Sequence, residues 1–184
     1  MRKIRISSII IGLLAVLLNK GLNAQIFSQL DKNPHDIVYD RMNEGELPQV
    51  KVVYGRPNAK DKKVFGTQVP YGKIWRTGSN EATEIRFYQD VMFGNKFIEA
   101  GTYVLYTIPN KNTWTIILNK NTDSYGTFFY NPEDDIVNLK IQTTKGEMLE
   151  NFSIGFKDQD YGSSQMVLAW ATTRVQILIS QKKG

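Results

Sequence analysis

Trp75, Arg76, Asn80 and Glu81 stand within seven residues of one another in the stretch Val69–Thr83, VPYGKIWRTGSNEAT. An indole face stacks on a ring. A guanidinium pairs with a carboxylate or bonds a hydroxyl, and an amide and a carboxylate orient what is held. Together they suit a small polar ligand such as a sugar or a carboxylate. The same residues also make a plain turn. Gly78 is free to take a positive φ and Asn80 to close an Asx turn. Trp75 would then pack on a sheet edge, and Arg76 would bond loop carbonyls or Glu81. Arg56, in the turn Gly55-Arg56-Pro57, is a second basic candidate for the ligand-binding set.

Acid–base chemistry has fewer carriers. Glu81 and Glu84 could form the carboxylate pair that glycoside hydrolysis needs. An extended chain with this odd spacing puts them on opposite faces, Glu84 joining Arg86. His35, the single histidine, follows Pro34 ahead of the first strand signal and reads as a solvated loop residue, not as the base of a triad. One histidine and no cysteine leave no nitrogen or sulfur set for zinc. Asp134-Asp135 beside Glu133 fit no twelve-residue calcium loop and read as an acidic turn. No motif calls for a cofactor.

These residues must be positioned by strands. Val50, Val52 and Tyr54 alternate with polar neighbours. So do Ile85 and Phe87; Val137, Leu139 and Ile141; Phe152, Ile154 and Phe156; and Val175, Ile177 and Ile179. Period two marks half-buried strands. Thr102–Ile108 and Trp114–Leu118 are apolar on both faces and read as central strands. Gly94-Asn95 and Pro109–Asn112 read as hairpin turns, and Lys145-Gly146-Glu147 as a loop. About ten short strands and no sustained helical period predict an all-β fold, an antiparallel β-sandwich of jelly-roll-like form. A minor helix is expected near the mature N-terminus.

A basic start, the 12-residue apolar run Ser7–Leu18 and a small residue at Ala24 form a secretory signal peptide. The run is short of the roughly 20 residues that span a bilayer, so cleavage near residue 24 is expected, with no membrane span afterwards. The expected organisation is a signal peptide at 1–24, a lead-in segment at 25–48 and one domain at 49–184. The chain has 23 Lys and Arg against 18 Asp and Glu. Four of those bases and none of the acids lie in 1–24, leaving 19 against 18 in the mature part. That near balance argues against nucleic acid as a partner. The absence of cysteine means that packing, not disulfides, must hold the exported domain.

The segment YGKIWRTGSNEAT, Tyr71–Thr83, resembles the hallmark of the domain-of-unknown-function 2911 family of exported bacterial proteins. Ile74 and Ser79 stand where the family has valine and alanine. The similarity runs on through Gly55-Arg56-Pro57, Val64-Phe65-Gly66, AGTYVLYTIP (100–109), WTIILN (114–119), YGTFFYNPEDD (125–135) and the closing strand 168–179. Ala171-Thr172 replace a glutamate-lysine pair. The resemblance implies an exported, mostly β domain of the cell envelope, periplasmic or secreted, and no particular activity. Three functions are open. The first is a non-catalytic binding module for a glycan or peptide fragment. The second is a hydrolase using Glu81 as acid or base. The third is a structural envelope protein with a protein partner.

Overall fold

Alternation along each strand decides the architecture, because every second side chain needs a dry face to pack on. The computed structural model describes residues 31–41, 44–159 and 162–181. The signal peptide and residues 25–30 of the weakly helical lead-in expected at 25–36 lie outside the described residues, and its described part, 31–36, holds no helix: it leads into the first strand. The ten strands are β1 (His35–Asp40), β2 (Val50–Gly55), β3 (Thr83–Phe87), β4 (Val91–Phe93), β5 (Lys96–Ile98), β6 (Gly101–Ile108), β7 (Thr113–Asn119), β8 (Asp135–Gln142), β9 (Thr144–Gln159) and β10 (Ser163–Gln181). They form a six-stranded sheet, β1-β2-β3-β6-β7-β8, and a four-stranded sheet, β5-β4-β10-β9. Every strand pairing is antiparallel. The protein is an all-β antiparallel sandwich.

The core lies between the sheets. Val50, Val52, Ile85, Phe87, Leu105, Ile116 and Leu118 from the larger sheet meet Phe93, Phe152, Met166, Leu168, Val175 and Ile177 from the smaller. β6 and β7 are interior, as two-sided apolar runs should be. A smaller cluster of Ala82, Val104, Tyr106 and Ile117 covers the other face of the six-stranded sheet.

Two segments differ from the sequence reading. Part of the lead-in is strand: β1 runs in full register along β2, from His35 opposite Gly55 to Asp40 opposite Val50. Its alternation was too short and too exposed to be heard. The loop expected at Lys145-Gly146-Glu147 is strand as well, inside the 16-residue β9. A Cβ at Gly146 would sit 3.0 Å from Arg174 Nε, a tight contact against a side chain.

Candidate functional site

The hallmark stretch folds as a knot at one end of the sandwich. Trp75 forms a bridge to Thr107 of β6, with N–H···O bonds of 2.7 and 2.9 Å between the two backbones. Thr77 and Asn80 both have left-handed backbones, φ 58° and 62°. That is tolerable for asparagine and strained for a β-branched threonine. The positive φ expected at Gly78 is thus carried by its neighbours. Gly78 is needed for contact instead, because a Cβ there would lie 2.8 Å from the Gly55 carbonyl oxygen. The Thr77 geometry is held by buried hydrogen bonds. Thr83 Oγ1 donates to the Thr77 carbonyl at 2.7 Å, and the Thr77 and Thr107 hydroxyls are 3.1 Å apart. Ser79 N–H donates to the Gly55 carbonyl at 3.2 Å.

The knot fixes where each candidate points. Trp75 is only 9% exposed. Its ring lies 5.9 Å from Trp170 in a stacked arrangement and meets Phe65, Trp114 and Phe152 edge-on, while Nε1–H donates to the Gly78 carbonyl. It is a core residue that also lines a cavity, not an open stacking face on a sheet edge. Arg76 is half-buried and does not bond Glu81. It lines a cavity of about 230 Å³ together with Trp75, Trp170, Ser79, Lys60 and Gln68. Its Nε and the Ser79 Oγ are buried without a hydrogen-bond partner among the described residues.

Glu81 belongs to a different pocket. The chain at 80–82 pairs with 124–126, through Ala82 N–H to the Ser124 carbonyl and Gly126 N–H to the Asn80 carbonyl. Consecutive Ala82 and Thr83 are both buried, so alternation breaks before β3 begins. The odd spacing of Glu81 and Glu84 therefore does not separate them, and both line one pocket of about 190 Å³ with His35, Asp123 and Ser124. His35, a strand residue and not a loop one, places Nε2 3.0 Å from Glu81 Oε2. Glu81 thus has its charged-group contact from β1. Beside this pocket, Tyr125 and Phe128 stack at 3° between planes, both largely exposed.

The remaining candidates are structural in their contacts. Arg56 pairs with Asp36 at 3.3 Å, and Asp36 also accepts from Tyr54 Oη. Burial pushes the Tyr54 phenol above its ordinary range, and the neighbouring Asp36 adds to it. Arg56 is not among the residues lining the Arg76 cavity. Asn80 carries the left-handed corner. Asp135 accepts from Tyr130 Oη at 2.8 Å and from Asn119 Nδ2 at 2.8 Å. Asp134 closes a single 3₁₀ turn, Pro132–Asp134. No cluster of metal-ligating side chains occurs among the described residues.

A family model described as "protein of unknown function (DUF2911)" matches residues 34–179, the whole sandwich from the start of β1 almost to the end of β10. The chain belongs to the DUF2911 family. No curated protein and no solved structure matches it. Among the described residues of this DUF2911 chain, no helix is long and apolar enough to cross a membrane.

Sequence reasoning missed Ser79, Lys60 and His35 as wall residues. Ser79 and Lys60 are ordinary turn residues whose placement depends on the knot and on left-handed backbones at Lys60 and Asp61. His35 needed the pairing of β1 with β2 to come within reach of Glu81.

Proposed function

We propose that this chain is an exported, non-catalytic binding module of the cell envelope that holds a small polar ligand, a glycan or a peptide fragment, in the Arg76 cavity. One observation carries the reading. Arg76 and Ser79, two residues of the cavity wall, each keep one buried polar atom, Nε and Oγ, with no hydrogen-bond partner among the described residues. Buried polar groups are nearly always hydrogen-bonded, so two such groups on residues of one wall support a polar occupant beside them. Strain stored at Thr77 to hold that wall fits a binding role.

The test is a screen of glycans and short peptides against residues 25–184. Arg76→Ala should abolish binding with the melting temperature within a few degrees, because Arg76 makes no ion pair among the described residues. Gln68→Trp, an exposed rim substitution, should block any occupant whatever its charge. Unfolding of Arg76→Ala would make the stretch purely architectural.

A second reading has its own observation. The His35–Glu81 contact in a pocket shared with Glu84 suits acid–base hydrolysis, and the exposed Tyr125–Phe128 pair would stack a sugar ring. Glu81→Gln should then lose turnover of chromogenic glycosides while ligand binding at Arg76 is unchanged. Equal turnover in the variant would remove this reading.

A further inference from the structure

We infer that the anchoring group of the ligand in the Arg76 cavity is an oxoanion, a carboxylate or a phosphate, and that Lys60 and Ser79 bind it alongside Arg76. This rests on the reading of that cavity as a binding site and names the chemistry it takes. Charge points to it first. Of the side chains lining the cavity, Arg76 and Lys60 are cationic and none is a carboxylate. Neither cation has an ion pair among the described residues. This contrasts with Arg56, a few residues away in sequence, which is neutralised by Asp36.

Hydrogen-bond supply points the same way. Ser79 lines the cavity, is 5% exposed, and its Oγ has no partner among the described residues, so a hydroxyl donor is left unspent on a wall residue. Arg76 Nε–H is a second unspent donor. A guanidinium edge and a hydroxyl offer donors to an acceptor-only group, which is what a carboxylate or phosphate oxygen is. A neutral sugar hydroxyl would use them less well, since it brings a proton of its own.

Lys60 is placed on purpose by its turn. Its backbone is left-handed at φ 53°, with Asp61 following at 55°. Its N–H donates to Asn58 Oδ1 at 2.7 Å, and Asn58 is tied through Nδ2 to Asn151 of β9 at 3.1 Å. The turn is therefore anchored to the opposite sheet, and Lys60, exposed, is one of the residues lining the cavity. Trp75 and Trp170, with Pro57 and Val69, form the apolar part of the wall.

The experiment uses ¹⁵N-labelled protein of residues 25–184 and follows the Arg76 Nε–H resonance, assigned by its disappearance in Arg76→Lys. D-glucuronate, inorganic phosphate and neutral D-glucose are titrated in turn at low salt. A saturable shift with glucuronate or phosphate, and none with glucose, is expected. Phosphate alone would make the anchor tetrahedral, and glucuronate alone would make it a carboxylate. Affinity should weaken at least about tenfold in Arg76→Ala and severalfold in Lys60→Gln and Ser79→Ala, and should fall with added salt. Glucose binding as tightly as glucuronate would overturn the oxoanion assignment and leave the cavity as a binding site. So would unchanged anion binding in Arg76→Ala. Absence of saturation by every probe in the millimolar range also overturns it. The binding reading itself then falls only if the wider glycan and peptide screen is blank as well.

Discussion

At the scale of single residues, two hydroxyls one turn apart do opposite things. Thr83 Oγ1 is buried and donates at 2.7 Å to the carbonyl of strained Thr77. Ser79 Oγ is buried and donates to nothing among the described residues. Thr83→Val keeps the shape and strips the donor, leaving a buried carbonyl short of a bond, and should cost about 1–3 kcal/mol. Ser79→Ala removes a buried polar atom that gains nothing from the fold. It should be neutral or stabilising by up to about 1 kcal/mol. Urea denaturation of both variants measures the difference. A loss for Ser79→Ala as large as that for Thr83→Val would mean that the Ser79 hydroxyl is part of the fold, and the case for the cavity would weaken with it.

At the scale of elements, the turn 77–80 is set by the end of β2. A Cβ built on Gly55 would meet the Ser79 carbonyl oxygen at 2.1 Å, which is backbone against backbone and has no flexible atom to give way. Gly55→Ala should therefore push the turn off β2 and destabilise by more than about 3 kcal/mol, where Gly72→Ala, with nothing within 4 Å of its Cβ, should lose only the strain of its positive φ. A thermal melt of each decides it; equal, small losses would mean that the turn is not docked on Gly55. The strands were legible in the sequence for a simple reason: burial on one face of a sheet writes itself as period two, as in Val137, Leu139 and Ile141 of β8. The site was only half legible. Trp75, Arg76 and Glu81 stood out by type, but their directions depend on long-range pairing. Trp75 turns inward because Thr107 captures its backbone. Glu81 turns to His35 because 80–82 leaves the β3 ladder for residues 124–126. No local pattern encodes either pairing.

At the scale of the whole molecule, stability should carry an alkaline edge. Tyr54, Tyr103, Tyr106 and Tyr130 all have phenols pushed above the ordinary value of 10.0, in each case chiefly by burial, and for Tyr130 also by its bond to Asp135. In the unfolded chain these groups lose protons near pH 10. In the folded chain they keep them to higher pH. Above pH 10 the unfolded state therefore binds fewer protons than the folded one, and stability falls as pH rises. Below pH 10 both states are protonated and the contribution is complete. Urea unfolding at a series of pH values, with tyrosinate absorbance followed in parallel, should show stability falling above pH 10 through these four groups. It should also show tyrosinate appearing together with loss of structure instead of ahead of it. Ordinary titration of these phenols near pH 10 in the folded protein would mean that the two faces of the larger sheet are open to water. The packing that holds a sandwich without disulfides would then be looser than the burial of Tyr106 between Val104 and Tyr130 requires.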